Sequence, residues 1–314
     1  MNRTFRRRAL ARLVTTATAV TLVGATAGTA LADAPVHDAG STRRAALSAA
    51  ADAPSTAAAH RPSADAPLVN VEGVTRSGEF RWYVPNGKGG LSLGGSAKGA
   101  WWKKTKASTN VDHDRDGRAN DGTYELRTNG DVLYQGRAGR ASKVAGGWGG
   151  YNTFFSPGDL GGNSGSDIVV RDGKGVLWLY RGSNAPGDYA SLSPRKRIGG
   201  GWNAYTSITG RGDLTGDHRT DIVARDRNGV LWLYKGTGNA DKPFADRTRI
   251  GGSWNKYTRL VSTGDVNGDG RADLLAVDGK GALWLYKGTG KASGPFSSPA
   301  KIGNSGWNQF RLLY

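Results

Sequence analysis

The chain repeats itself, and a long period restricts it to an array of like units before any local propensity is considered. The clearest copies are Gly175-Val-Leu-Trp178-Leu-Tyr180-Arg-Gly182, Gly229-Val-Leu-Trp232-Leu-Tyr234-Lys-Gly236 and Gly281-Ala-Leu-Trp284-Leu-Tyr286-Lys-Gly288, whose tryptophans stand 54 and 52 residues apart. A second tryptophan, at Trp148, Trp202, Trp254 and Trp307, recurs at 54, 52 and 53 residues. Asp-rich loops open at Asp112, Asp159, Asp213 and Asp265, at intervals of 47, 54 and 52.

Within a unit the order is constant. A strand over Tyr257–Thr263 leads into the acidic loop, and a second strand, Ala272–Val277, ends in the hairpin turn Asp278-Gly279-Lys280-Gly281. A third strand follows over Ala282–Lys287, then a Gly/Pro-rich loop and a fourth strand near Pro299–Ile302. Four antiparallel strands per unit describe a β-propeller blade. Units of this kind occupy 102–148, 149–202, 203–254 and 255–307. Ahead of them, 68–101 offers only three strands, Val69–Val74, Glu79–Val84 and one around Leu91–Ala100, and behind them Gln309–Tyr314 is a lone first strand. The two fragments complement each other. The expected fold is therefore all-β: a five-bladed propeller closed by pairing of the C-terminal strand with the N-terminal blade, which removes an open sheet edge. An open array of four repeats is the competing arrangement.

The loop Asp265-Val-Asn267-Gly-Asp269-Gly270-Arg-Ala-Asp273 places oxygen-bearing side chains at alternate positions around a glycine, the pattern that a calcium-binding loop needs. It is not an EF-hand, because the twelfth position, where that loop carries a bidentate Glu, is Ala276. Followed by an apolar strand, this loop resembles the FG-GAP/VCBS repeat of integrin-α-like propellers. The Gly-Val-Leu-Trp-Leu-Tyr and Gly-Gly-Trp-Asn segments resemble the secreted actinobacterial form of that repeat. The resemblance covers 102–314 well and 68–101 poorly, and the family is commonly seven-bladed, so five blades is a departure.

Copy by copy, the expected calcium ligands are Asp265, Asn267, Asp269, Asp273 and the carbonyl of Arg271; Asp112, Asp114, Asp116 and Asn120, with Asp121 one residue late; Asp213, Thr215, Asp217 and Asp221, with His218 in the glycine position; and Asp159, Asn163 and Asp167, with Gly161 replacing a ligand. Ligand charge and number rank the 265 and 112 copies first, then 213, then 159. The alternative is an Asp/Gly-rich turn without an ion. Arg211-Gly212-Asp213 spells an adhesion tripeptide, but Asp213 is already the first ligand of its own loop.

Arg3, Arg6, Arg7, Arg8 and Arg12, an apolar stretch from Leu13 to Ala27, and Ala30-Leu31-Ala32 read as a signal peptide over 1–32. Residues 33–67 are Ala-, Pro- and Ser-rich and read as disordered. The expected product is secreted, monomeric, without a membrane span, and either free or associated with a cell wall. Without cysteine it cannot use disulfides, so bound calcium would take over that stiffening. Removing 1–32 takes away five arginines and no acid, which lowers the net charge from +17 to +12. The basic residues are spread over the blades with no recognisable reader, which argues against nucleic acid.

Of four histidines, His37 and His60 lie in the Ala/Pro/Ser-rich segment, and His113 and His218 lie in acidic loops. Ser-His-Asp and Cys-His chemistry are thereby disfavoured, no catalytic residue is assigned, and the chain is expected to be a binding module. Trp202-Asn203-Ala-Tyr205, Trp254-Asn255-Lys-Tyr257 and Trp307-Asn308-Gln-Phe310 repeat two rings and an amide, a set suited to stacking on a sugar while the amide takes hydroxyls. Trp202, Asn203, Tyr205, Trp254, Asn255, Tyr257, Trp307 and Asn308 are thus the candidate ligand residues; packing between sheets is the competing role. For Trp178, Trp232 and Trp284 core packing is expected. Lys143, Arg197, Arg249 and Lys301 form either a positive ring or protection of outer edge strands. Carbohydrate is the first expected ligand, and an extracellular protein, for example a secreted protease to be modulated, is the alternative.

Overall fold

The computed structural model describes residues 63–118, 121–136, 141–183 and 190–314. The signal-peptide reading of 1–32, the first thirty residues of the Ala/Pro/Ser-rich segment, and Asn120 lie outside the described residues.

Five four-stranded antiparallel sheets are arranged as blades. Blade 2 contains β4 (Thr105–Val111), β5 (Gly122–Arg127), β6 (Val132–Gly136) and β7 (Ser142–Ala145). Blade 3 contains β8 (Thr153–Gly158), β9 (Asp167–Arg171), β10 (Leu177–Tyr180) and β11 (Lys196–Gly199). Blade 4 contains β12 (Tyr205–Thr209), β13 (Ile222–Asp226), β14 (Leu231–Tyr234) and β15 (Thr248–Gly251). Blade 5 contains β16 (Tyr257–Gly264), β17 (Asp273–Asp278), β18 (Leu283–Tyr286) and β19 (Ala300–Gly303). Blade 1 is composite: β1 (Val71–Thr75), β2 (Glu79–Pro85) and β3 (Leu91–Lys98) are completed by β20 (Phe310–Leu313), in the order β20-β1-β2-β3. Gly73 pairs with Leu313 and Val74 with Leu312 across that seam. The closed five-bladed arrangement is therefore the observed one, and the open four-repeat array is not.

First strands face the axis and touch one another, β4 against β8, β8 against β12 and β12 against β16. The outer strands carry the repeated cations. Arg197 lies opposite Trp178, Arg249 opposite Trp232 and Lys301 opposite Trp284, all exposed on β11, β15 and β19. Lys143 holds the corresponding exposed place on β7, opposite Leu133. These charges are dispersed around the periphery, where they guard sheet edges, and they do not gather into a ring.

The core consists of inter-blade layers. Each Trp-Asn turn is a short 3-10 turn whose tryptophan wedges between its own blade and the next: Trp148 stacks on Tyr180 at 4.2 Å, Trp202 on Tyr234 at 4.7 Å, Trp254 on Tyr286 at 4.6 Å and Trp307 on Tyr83 at 4.6 Å. The helical turn Ala100–Lys103, which leaves blade 1, instead lays Trp102 back on blade 1, stacked on Phe80 at 4.3 Å. Buried guanidinium groups secure the joints. Arg171 donates to the carbonyls of Trp202 and Tyr205, and Arg225 does the same for Trp254 and Tyr257. Arg311 donates to the carbonyls of Thr105 and Trp102 and so joins β20 to blade 2.

Residues 63–67, the end of the segment expected to be disordered, are ordered across the mouth of the ring. Asp65 carbonyl accepts Asp213 N–H at 2.6 Å, Pro67 carbonyl accepts Asp265 N–H at 2.8 Å, and Leu68 N–H donates to Gly117 carbonyl at 2.7 Å. Ala66 is buried. This strap touches the acidic loops of blades 2, 4 and 5, so it must cross the axis. It is held through backbone groups, which composition does not register.

Two outcomes follow from this packing. Trp254→Ala should cost about 3–5 kcal/mol, as for other large aromatic deletions from a core; denaturant unfolding that shifts by less than 1 kcal/mol, an order-of-magnitude threshold, would show that the wedge does not carry the joint. Deleting Phe310–Tyr314 should lower the melting temperature and produce concentration-dependent association in gel filtration, because β1 becomes a free edge. A monomeric truncation with an unchanged melt would remove the role assigned to the seam.

Candidate functional site

The four acidic loops share a backbone plan. In each, the fourth and sixth positions have positive φ: Arg115 and Gly117, Gly162 and Ser164, Gly216 and His218, Gly268 and Gly270. His218 thus adopts, at φ 62°, the conformation expected of the glycine it replaces. The first Asp accepts amides of the turn that wraps around it. Asp265 takes Gly268, Asp269 and Gly270 N–H; Asp213 takes Thr215, Gly216 and His218 N–H; Asp159 takes Gly162, Asn163 and Ser164 N–H.

The last Asp ties the loop to the blade. One oxygen accepts amides from the second or third loop position, and the other accepts Gly182, Gly236 or Gly288 N–H, the glycine closing the Leu-Trp-Leu-Tyr strand. A Cβ on those glycines would collide with the carbonyls of Ser166, Thr220 and Ala272, which explains the invariant end of the repeated motif. In the 112 copy this role belongs to Asp121, which accepts His113 and Asp114 N–H. Asn120 lies outside the described residues, and Asp121, one residue beyond the spacing of the other copies, takes these amides.

The structure brings Asp112, Asp114 and Asp121 together, and likewise Asp213, Asp217 and Asp221; in each group carboxylate oxygens lie within 4.8 Å of one another. Burial raises the carboxyls of Asp112 and Asp221 to about 7. For Asp221, repulsion from Asp213 and Asp217 adds to burial. Three hard oxygen donors converging at that spacing fit a hard divalent cation, whose charge would offset the repulsion. Thr215 is buried beside Asp213, and Asp116 caps Arg118 N–H from the exposed side.

Asp265, Asp269 and Asp273 form no such group: Asn267 turns its amide N–H onto Asp273, and Asp269 caps Arg271 N–H. In the 159 copy Arg115 pairs with Asp159 at 3.3 Å and Asn163 donates to Gly182 carbonyl. Among the described residues the carboxylate groups are thus those of loops 112 and 213, and in the latter Lys235 also pairs with Asp217 at 3.1 Å.

The Trp-Asn candidates are placed differently from the sugar platform expected of them. Trp202, Trp254 and Trp307 are buried between blades, as are Tyr205 and Tyr257. Their rings have no free face to stack on a ligand. Asn203, Asn255 and Asn308 are exposed but pack over Gly175, Gly229 and Gly281 of the preceding hairpin.

Trp178, Trp232 and Trp284, expected in the core, do pack against the inter-blade layers but remain half-exposed. Strand alternation buries Leu231 and Leu233 and turns Trp232 the other way, and Trp178 and Trp284 follow suit. Each indole N–H donates to the carboxylate that opens the hairpin turn: Trp178 to Asp172 at 2.9 Å, Trp232 to Asp226 at 2.8 Å and Trp284 to Asp278 at 2.8 Å. This indole bond holds the Asp172 and Asp278 carboxyls below the usual carboxylate range. An exposed cation covers each ring: Arg195 over Trp178 at 4.1 Å, Arg247 over Trp232 at 4.2 Å and Lys301 over Trp284 at 5.4 Å. The same aromatic, carboxylate and cation therefore recur on three consecutive blades.

Blade 4 from its acidic loop onward and the start of blade 5 carry the decisive match. Residues 213–276 match the FG-GAP-like repeat. That match begins at the first loop Asp of one FG-GAP-like unit and ends within the second strand of the next, in agreement with the blade register. No curated protein matches the chain. Among solved structures it is similar to human WBSCR16 (11% identity, 73% of this chain and 63% of that one, TM-score 0.35) and to Prp20p from Saccharomyces cerevisiae (12%, 75% and 61%, 0.38). It is also similar to AofleA from Arthrobotrys oligospora (12%, 81% and 75%, 0.41). The chain spans less than two thirds of the length of the first two.

Proposed function

We propose that this propeller is an extracellular, calcium-stabilised, non-enzymatic binding module for carbohydrate, and that sugar is taken at the half-exposed tryptophans of blades 3, 4 and 5. The observation that carries the reading is the threefold recurrence of indole, carboxylate and cation at one place on the blade. A sugar offers an apolar face for the indole and hydroxyls for the carboxylate and guanidinium. The cation over each ring is exposed, and an exposed cation–π contact is worth only about 0.5–1 kcal/mol; Arg195 and Arg247 also donate to the Tyr151 and Tyr205 hydroxyls, so a sugar would take the outer edge of those rings with the guanidinium still in place. Three equivalent sites on one rigid ring gain avidity toward a repeating polymer.

Calcium belongs to this reading as a structural ion at Asp112, Asp114 and Asp121 and at Asp213, Asp217 and Asp221. Bound there, it would neutralise the clustered carboxylates and clamp each loop between first and second strands. Against catalysis, His113 is buried and its pKa is pushed down to about 4, chiefly by burial and then by Arg211, while His218 pairs with Asp65. Among the described residues no helix is long and apolar enough to cross a membrane.

A glycan array with calcium present should show binding that Trp178→Phe, Trp232→Phe and Trp284→Phe together weaken by at least about tenfold, with circular dichroism confirming that the propeller still folds. No glycan bound, together with capture of one extracellular protein, would replace carbohydrate by protein as the ligand class. Separately, calcium should raise the melting temperature saturably, by about 2.7 kcal/mol of stabilisation at a hundredfold excess over Kd. Asp213→Asn combined with Asp221→Asn should remove part of that rise. A melt that is indifferent to calcium and chelator alike would remove the metal from the reading.

A further inference from the structure

Arg211 follows β12 and points its side chain toward the axis of the ring. It is 4% exposed, and its Nη1 donates to the carbonyls of Asn110 at 2.7 Å and Ser156 at 3.3 Å. Nε and Nη2 have no hydrogen-bond partner among the described residues. Those two N–H groups form the side-on fork of a guanidinium, the edge that takes two oxygens of a carboxylate, sulfate or phosphate in parallel. A buried guanidinium with an idle fork is costly, more so than an idle neutral group, because the unpaired N–H groups carry part of a full charge.

The surroundings reinforce this. Arg211 lines an axial cavity of about 150 Å³ between the first strands, with Thr109, Ser156, Thr209, Ser262 and Thr263 among its hydroxyl-bearing neighbours and no Asp or Glu. Thr263 is 2% exposed, and its Oγ1 also lacks a partner among the described residues. Thr209 Oγ1 accepts Ser262 N–H and retains its own proton to donate. Tyr314, the last residue, also lines the cavity; its N–H donates to the Glu72 carbonyl at 2.8 Å, and an oxygen of its carboxylate accepts Glu72 N–H at 2.7 Å. Asp112 attracts the guanidinium from a second cavity, of about 160 Å³, beneath the strap. Burial nevertheless brings the Arg211 pKa down to about 10.

We propose that the axial cavity is a binding site for one small oxyanion, held by the Arg211 Nε/Nη2 fork and by the hydroxyl of Thr263. The charge of the fork and the absence of any acidic side chain in the lining favour an anion over a neutral solute or a lone water. The site is separate from the tryptophan sites and stands whether or not those take sugar, while Asp112, which shares the second cavity with Arg211, couples it to the 112 loop.

The test uses the full chain in chloride buffer at constant ionic strength, with sodium sulfate, sodium phosphate and sodium acetate as probes. Calorimetry and thermal melts are the readouts. Expected is saturable, one-to-one binding of at least one probe, with a matching rise in melting temperature that chloride alone does not give. Acetate against sulfate and phosphate separates a planar carboxylate from a tetrahedral anion as the preferred group. Thr263→Val should weaken binding by about tenfold, the loss of one hydrogen bond to a charged group, without unfolding, since this hydroxyl is unpaired among the described residues. Arg211→Lys keeps the charge, loses the fork and should weaken binding further. If Arg211→Lys fails to fold, Thr263→Val decides alone. Equal responses to all salts, or a saturable site unchanged by Thr263→Val, would overturn the proposal.

Discussion

Everything in this ring depends on ring-to-ring contact between neighbouring sheets. A single four-stranded blade buries too little apolar surface to stand alone. The wedges Trp148, Trp202, Trp254 and Trp307 supply what is missing, each filling the space between two blades. Because each wedge is carried by the turn that leaves one blade and is stacked on the next, neither blade is complete without the other. The guanidinium groups of Arg171, Arg225 and Arg311 then satisfy carbonyls that such a tight turn leaves without strand partners. Packing and hydrogen bonding thus act at the same joint.

Period, strand order and closure were all legible in the residues, because a blade must alternate apolar positions and must turn at Asp-Gly hairpins. The two tryptophan series both pack on the inter-blade layers, but to different depths. Trp232 sits between Leu231 and Leu233, and the period-two rule places it on the face opposite those leucines, against the preceding layer and half-exposed. Trp254 follows a glycine-rich turn, which suggests a rim, yet its burial is conferred by Tyr286 from the adjoining blade, a contact no local pattern encodes. In the 112 loop, Asp121 takes the amides of His113 and Asp114 from one residue beyond the spacing of the other copies, an offset that counting alone does not resolve. The strap at 63–67 was hidden for a different reason: it is held by backbone carbonyls, and its small polar side chains gave no hint of that.

The acidic loops are better described as joints than as isolated sites. Their first Asp folds the turn, and their last Asp fastens that turn to the glycine ending the third strand. Where Arg115 meets Asp159 or Lys235 meets Asp217, a protein cation already supplies part of the positive charge that such a turn attracts. The strap adds a second tier, because Asp65 and Pro67 carbonyls engage the amides of Asp213 and Asp265, the residues that organise their loops. Loops on opposite sides of the axis are thereby connected through one short segment.

The seam between β1 and β20 sets the order of events in assembly. Its partners, Gly73 and Leu313, come from opposite ends of the propeller sequence, so the loop closed by their pairing spans nearly every other contact. Such a pairing is entropically late. Until it forms, blade 1 keeps an unpaired edge and the layer containing Phe310 and Trp307 remains incomplete. A partially made chain therefore has nowhere to stop along the way: blades 2 to 5 can collapse early, but the molecule becomes kinetically locked only when its final strand arrives.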